Sequence, residues 1–258
     1  MGFSAHWLAL REPADAAARD SALAQRAAAL AGPAPLVVDL GCGTGATWRA
    51  LAPLLPEATR WRFVDHDPEL LARAGEAAGR DAELVRTDLA DVGALPLDDA
   101  TLITASALLD LVSEDWIAQL LRRLRVPFYA ALSYVGRMEW TPEDPRDAVV
   151  AAAFDQHQGG DKGFGPALGP AAAERCARLL EAAGFTVETA PSPWRLGSDQ
   201  VALQRALVEG VATAAAEAGI EDALAWGARR QALAARTRCT IGHLDLLAIP
   251  DGLPQGGA

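Results

Sequence analysis

The sequence feature that most constrains the fold is the glycine-rich segment DLGCGTG at residues 39–45. It follows the apolar, β-branched run of residues 36–40, which is typical of a buried strand, and it leads into a segment with helical periodicity. Glycines allow a tight turn and a close approach of the backbone to a ligand, and an acid at the end of a strand accepts hydrogen bonds. The segment therefore predicts a ligand-binding turn between a strand and a helix.

Strand and helix patterns alternate along most of the chain. Helical periodicity covers residues 45–55, 68–78 and 171–183, and strand patterns lie between such segments. This alternation predicts an α/β fold, with a doubly wound, Rossmann-like, mostly parallel sheet and helices on both faces. The seven predicted strands cover residues 36–40, 60–64, 82–85, 101–105, 126–132, 185–189 and 240–249.

We expect residues 1–258 to form a single domain, because no linker-like stretch divides the chain. Three segments do not fit the alternation. Residues 1–31 form an N-terminal helical segment, residues 135–170 are typical of a lid or substrate-side insertion, and residues 199–236 form a helical insertion before the last strand.

Charge and composition exclude several classes of protein. The chain has 258 residues and a formal net charge of −11, which argues against nucleic acid as a partner because phosphate binding needs clustered Lys and Arg. The three cysteines have no metal-ligand spacing, so we predict free thiols and no metal site. No signal peptide or membrane-spanning stretch is recognisable, so we expect a cytoplasmic protein without a membrane partner.

Two further acids follow the second and third predicted strands. Asp65 lies twenty positions beyond Gly45, where doubly wound nucleotide-binding folds place a carboxylate on ribose hydroxyls. The ring of His66, next to it, could face an adenine. Asp88 ends the third strand at the same edge of the sheet, so the pattern predicts a nucleotide-like cofactor there.

These residues together resemble the class I S-adenosylmethionine-dependent methyltransferases. The resemblance implies the cofactor S-adenosyl-L-methionine, a ribose-binding Asp65, an Asp88 that contacts the adenine amino group, and an antiparallel last strand. It is strongest over residues 36–110, weaker to residue 132 and architectural beyond, and it implies a bacterial enzyme of the small-molecule type. The cofactor-binding residues that it implies are Asp39, Gly41, Cys42, Gly43, Gly45, Asp65, His66, Asp88 and Leu89.

Two other functions remain open from the sequence. Gly41, Gly43 and Ala46 also fit the dinucleotide-binding fingerprint of a nicotinamide-dependent oxidoreductase. Against it, the acid at position 39 would repel a dinucleotide pyrophosphate. The other alternative is a non-catalytic module that binds S-adenosylmethionine as a sensor, because an intact loop predicts binding and not turnover.

The acceptor side is less constrained. In the family that this chain resembles, the fourth strand ends near the methyl group, so Ser106 is a cofactor contact and Asp110 orients the acceptor or acts as a base; a helix cap is an equal alternative for Asp110. The Asn or Asp followed by two prolines that nucleobase-amine methylating branches carry is missing there. Arg11 could bind the cofactor's carboxylate or be an ordinary helical charge.

Aromatic residues in the lid predict a small-molecule pocket, and Tyr134 is the catalytic candidate among them. His157 is a possible general base, although a helix-end histidine is the more common explanation. His243 is predicted to be a satisfied structural histidine in the last strand. The overall prediction is methyl transfer to a small-molecule acceptor by a monomer or homodimer.

Overall fold

The computed structural model describes residues 3–79 and 82–253. Residues 1–2, 80–81 and 254–258 lie outside the described residues, and the first two belong to the predicted N-terminal helical segment. The strands are β1 (Leu36–Leu40), β2 (Arg60–Asp65), β3 (Ala82–Arg86), β4 (Leu102–Ser106), β5 (Phe128–Thr141), β6 (Phe185–Pro191), β7 (Trp194–Leu196) and β8 (Arg238–Pro250). The α-helices are α1 (Ala5–Ala18), α2 (Ser21–Leu30), α3 (Ala46–Leu51), α4 (Pro68–Ala78), α5 (Glu114–Arg123), α6 (Asp147–Gln158), α7 (Ala172–Ala182), α8 (Val201–Glu217) and α9 (Ala223–Leu233).

All the strands join one sheet, in the order β3-β2-β1-β4-β5-β8-β6, with β7 paired to β8. Strands β1 to β5 are parallel to one another, whereas β8 is antiparallel to β5, β6 and β7. The predicted mostly parallel sheet with an antiparallel last strand is confirmed. Strand β7 was not predicted, because three residues are too few to show a period.

The strand order reverses between β1 and β4. Neighbouring loops leave the sheet in opposite directions there, which opens a crevice at the carboxyl ends of these two strands. The residues of β1 are all buried, and the glycine-rich segment begins where β1 ends. The fold therefore places this segment, the end of β4 and the end of β2 at one edge.

Strand β5 continues much further than the sequence predicted. Residues 135–141, which we assigned to the lid insertion, belong to β5 and pair with the start of β8. Their outward side chains, Arg137 and Glu139, are exposed, while Trp140 is buried. The charged face hid the period-2 pattern of a strand that is buried on one side only. Helix α6 and a loop make up most of the remaining insertion.

Helices α6, α8 and α9 cover the extended part of β5 and β8. A separate core cluster joins them and includes Trp140, Trp194 and Trp226. Two other clusters fill the two faces of the parallel sheet. No helix in the part of the chain that the structure describes is both long and apolar enough to cross a membrane.

A buried ion pair fastens α9 to the start of α6. The Arg230 side chain is only 1% exposed, and its guanidinium group is bonded to the Asp147 carboxylate through two nitrogens. It also donates to the backbone oxygen of Pro142 over 2.7 Å and lies 5.4 Å from the ring centroid of Trp140. The indole of Trp226 donates to the same carboxylate over 2.8 Å. Asp147 therefore holds two buried donors at once.

We predict that Asp147→Ala lowers the free energy of unfolding by about 3 kcal/mol, because it leaves a buried guanidinium group without its counter-charge. Urea unfolding followed by circular dichroism measures the change. The matched control is Glu139→Ala, which breaks an exposed ion pair with Arg137 and should cost less than about 1 kcal/mol. Equal losses in the two variants would contradict the importance of the buried pair.

Candidate functional site

The glycine-rich loop has the backbone conformation that its glycines predict. Gly41, Gly43 and Gly45 have φ angles of 67°, 54° and 86°, a region that side-chain-bearing residues rarely adopt. A Cβ on Gly43 would also lie 3.1 Å from Cδ1 of Leu8, because α1 packs across the loop. The loop is therefore tightly turned and covered by the N-terminal helix.

Asp39 lies fully buried near the end of β1. Its Oδ1 accepts a hydrogen bond from the Thr104 hydroxyl over 2.8 Å, whereas its Oδ2 is buried without a partner among the described residues. Burial raises the pKa of this carboxyl group to about 7. An unpaired buried oxygen is unusual in a folded protein, and a ligand that donates a hydrogen bond would satisfy it.

Arg19 completes this part of the site, and sequence reasoning missed it. It follows α1 directly, donates from Nη2 to the Ser106 hydroxyl over 3.0 Å and lies over the ring of Tyr129. Its positive charge opposes the rise in the pKa of the Asp39 carboxyl group. Its Nε is buried and has no partner within the described residues. Nothing in the sequence distinguishes this arginine from its neighbours.

Arg11, the arginine that we predicted to bind the cofactor's carboxylate, contacts Asp15 and Trp194. Its Nε donates to Asp15 over 2.8 Å, and its guanidinium carbon lies 5.1 Å from the ring centroid of Trp194. It lines the large cavity described below.

Asp65 is linked to the glycine-rich loop. Its Oδ2 accepts a hydrogen bond from the backbone N–H of Gly43 over 2.9 Å, and its Oδ1 accepts one from Asp67 over 3.0 Å. The exposed ring of His66 lies beside it, with Nδ1 3.3 Å from Oδ1. The structure thus brings the predicted ribose-binding acid and the loop together.

The remaining predicted cofactor contacts surround the same loop. Leu89 is buried, and its Cδ1 lies 3.5 Å from the position of a Cβ on Gly41. Asp88 is exposed and accepts a hydrogen bond from the backbone of Ala90 over 2.9 Å. Burial raises the pKa of the Cys42 thiol, so this cysteine is a packed side chain and not a reactive thiolate.

A cavity of about 420 Å³ lies beyond the end of β4. Its walls come from α1, β5, α6, β7, α8 and β8, and Ala107 and Asp110 form part of its lining next to β4. Six aromatic side chains line it, which makes most of its surface apolar: Phe3, Trp7, Tyr134, Phe154, Phe164 and Trp194. Its size and lining are typical of a small-molecule site.

The three residues predicted as catalytic all line this cavity. The Oδ1 atom of Asp110 is buried without a partner in the described part of the chain, and burial raises the pKa of this carboxyl group to about 6. The Tyr134 hydroxyl donates to Asp155 over 2.7 Å. His157 is held at both ring nitrogens, by Glu217 at 2.9 Å and Lys162 at 3.4 Å. Of the three, only Asp110 presents an unpartnered atom.

His243 differs from its prediction as a satisfied structural histidine. It lines the cavity, with its ring centroid 5.0 Å from that of Trp194 and 6.3 Å from that of Tyr134. Its Nδ1 is buried, and no atom of the described residues pairs with it. Burial and the charge of Arg11 lower the pKa of the ring to about 3, so the imidazole is neutral. The prediction was wrong because a strand pattern does not show which cavity a residue borders.

The cavity lining contains two strained backbone positions. Ala107 and Leu132 have φ angles of 50° and 58°, which are uncommon for residues with a side chain. Leu132 lies where the pairing of β5 with β8 shifts register, and its N–H donates to the buried Asp245 carboxylate over 2.8 Å. Strain of this kind persists only where surrounding contacts hold it, and it clusters at functional sites.

The family described as "Methyltransferase domain" matches residues 37–126. A comparison with curated protein sequences gave no significant match. The matched range begins in β1 and includes the glycine-rich loop and the ends of β2, β3 and β4. It stops before β5, so most of the cavity wall lies outside it.

Several solved structures resemble the whole chain. The YcgJ protein from Bacillus subtilis is 14% identical, with a TM-score of 0.53 over 89% of this chain and 98% of that chain. A protein described as a candidate type II methyltransferase, from Anaeromyxobacter dehalogenans, is 20% identical, with a TM-score of 0.50 over 90% and 97%. At such identities the likeness shows the fold alone.

The observed fold agrees with the family match. The antiparallel last strand, the position of the glycine-rich loop after β1 and the acids near the ends of β2 and β3 are those that the sequence resemblance implied. The family match favours S-adenosylmethionine over a nicotinamide cofactor. Residues 37–126 therefore carry a methyltransferase domain, and this match together with the sheet order supports a class I S-adenosylmethionine-dependent methyltransferase.

Proposed function

We propose that this enzyme transfers a methyl group from S-adenosylmethionine to a small-molecule acceptor in the aromatic cavity. The observation that carries the proposal is the position of the cavity. It borders Ala107 and Asp110 just beyond β4, and β4 pairs with the strand that leads into the glycine-rich loop. A cofactor on the loop and an acceptor in the cavity would then meet at the end of β4.

The unpartnered polar atoms beside the loop fit this cofactor. A cofactor that carries both an ammonium and a carboxylate group would satisfy Asp39 Oδ2 and Arg19 Nε, which are buried and have no partner in the described part of the chain. When bound, S-adenosylmethionine supplies an activated methyl group on a sulfonium. We propose that Asp65 binds the ribose, with His66, Asp88 and Leu89 around the adenine. The other proposed contacts are Gly41, Cys42, Gly43, Gly45, Ser106 and, from the cavity side, Arg11.

The cavity favours a small acceptor over a macromolecule. Its volume of about 420 Å³ lies in the usual range for small-molecule sites, and helices from three separate parts of the chain enclose it. Aromatic walls exclude water and fix the orientation of a flat apolar ligand. Orientation and exclusion of water are the main contributions that a protein makes to a displacement of this kind.

Within the cavity, we propose that Asp110 accepts the proton of the acceptor. Its unpartnered Oδ1 is available for a hydrogen bond, and its raised pKa makes it a stronger base than an ordinary carboxylate. Tyr134, bonded to Asp155, would form one wall. His157 would fix α6 against α8 through Glu217, beside the acceptor.

The proposed function is tested first by cofactor binding. We expect calorimetry to show micromolar binding of S-adenosylmethionine, which corresponds to about 8 kcal/mol, and Asp65→Ala to weaken it by tenfold or more, about 1.4 kcal/mol or more. Glu76→Ala removes an exposed acid from α4 and should leave binding unchanged. Tritiated cofactor and a panel of aromatic metabolites then identify the acceptor. Binding of nicotinamide cofactors instead would contradict the proposal.

Asp39→Asn should change stability and cofactor binding in opposite directions. When folding raises the pKa of a carboxyl group to about 7, the free energy of unfolding of the protein falls as pH increases from about 4 to 7. The neutral Asn removes this loss, so without cofactor we expect its urea midpoint to exceed that of the wild type at about pH 8 but not at about pH 4. The same variant should bind S-adenosylmethionine at least tenfold more weakly. An unchanged affinity would refute the role of Asp39.

The role of Asp110 predicts a pH profile. With the identified acceptor, kcat/KM should rise with pH and level off above about 6, because only the ionised carboxylate accepts a proton. Asp110→Asn should lower kcat/KM about a hundredfold and abolish the rise. Asp98→Asn, an exposed acid on a loop, is the control. A rise that survives in Asp110→Asn would show that another group titrates.

A further inference from the structure

His243 is a buried polar side chain of β8. The residue is 7% exposed, and it lies between the rings of Trp194 and Tyr134 in the wall of the cavity. Its Nδ1 has no hydrogen-bond partner in residues 3–79 and 82–253. A buried polar group is costly unless it is paired, and an apolar ring would pack between these aromatic neighbours equally well. Apart from the backbone oxygen of Ile241, which raises the pKa of the ring, the described residues offer the imidazole no partner, so a ligand in the cavity would supply one.

The ring faces the same space as Asp110. Tyr134 is paired with His243 across β5 and β8, and Asp110 lines the same cavity as these two residues. The other charged or titratable groups of the lining are Arg11, which is paired with Asp15, and His157 with Lys162. The cavity thus combines aromatic walls with two unpaired polar groups near one tyrosine.

The charge state of the ring determines which ligand group it can bind. Burial and the nearby Arg11 keep His243 neutral, and a neutral imidazole has one nitrogen that donates and one that accepts. A hydroxyl group also donates and accepts, so it can pair with either nitrogen. A carboxylate would be held better by Arg or Lys, and an ammonium would lie beside the positive charge of Arg11.

We propose that His243 recognises the methyl acceptor, and that the acceptor is an aromatic compound with a hydroxyl group that hydrogen-bonds to this ring. This inference rests on the proposed function, because it names the acceptor class of the same cavity. The aromatic walls bind the ring system of the acceptor, and the hydroxyl group satisfies the imidazole. His243 acts on specificity, since an analogue without the hydroxyl group would leave the imidazole unpaired.

The test compares two probes that differ only in this group, 2-naphthol and 2-methylnaphthalene. Equilibrium dialysis measures their dissociation constants with and without saturating S-adenosylhomocysteine. We expect the wild type to bind 2-naphthol about tenfold more tightly, although its methyl analogue is the more apolar compound. His243→Phe keeps the packing against Trp194 and should bind both probes equally.

Two further variants make the comparison specific. His243→Asn restores a donor and an acceptor close to the backbone and should recover part of the preference for 2-naphthol. His6→Phe changes an exposed histidine of α1 and should leave the tenfold ratio unchanged. Circular dichroism and urea unfolding confirm that each variant is folded; if His243→Phe does not fold, His243→Asn and His243→Leu provide the comparison.

Several outcomes would overturn the inference. The inference fails if the wild type binds neither probe or binds both equally. It also fails if His243→Phe keeps the preference for 2-naphthol, a result that would assign recognition of the hydroxyl group to Asp110. Failure of the proposed function has a different signature. In that case the protein would not bind S-adenosylmethionine or S-adenosylhomocysteine, while the loss of preference in His243→Phe would still be measurable.

Discussion

The pairing of β5 with β8 forms much of the wall of the aromatic cavity. The two strands continue past the edge where β1, β2 and β4 end, and α6, α8 and α9 pack on this extension. The same pairing places Tyr134 beside His243 in the cavity wall. Without the extension, the crevice at the ends of β1 and β4 would open directly to solvent. The cavity therefore depends on one long antiparallel ribbon added to an otherwise parallel sheet.

Polar groups that lack partners lie on both sides of the end of β4. Among the residues that the structure describes, Asp39 and Arg19 have unpaired atoms beside the glycine-rich loop, and Asp110 and His243 have them at the cavity. Nearby, Ala107 and Leu132 hold strained backbone conformations. Natural sequences break local rules of this kind mainly where function requires it. Stability is provided elsewhere, by the apolar clusters and by the buried Asp147 and Arg230 pair.

Sequence reasoning was most reliable where the chemistry is local. The bounds of β1 and α4 were predicted as observed, because an apolar run followed by glycines, and a helix between Pro68 and Gly79, are short-range signals. Helix α5 was missed, although Ser113 followed by two acids is a helix-start signal. Arg19 and His243 could not be recognised, because their environment is made by strands and helices far away in the sequence.

The carboxylate of Asp245 joins distant parts of the chain. It accepts hydrogen bonds from the backbone of Asp20, from the backbone of Leu132 and from the hydroxyl of Tyr129. Strand β8, which carries it, lies between β5 and β6 but follows both in the sequence. During synthesis on the ribosome, β5 and β6 therefore emerge as unpaired edges, and the cavity floor closes only when β8 inserts between them. A nascent chain paused before β8 would expose the unpaired edge of β5, which is rich in buried residues, the kind of surface that chaperones bind.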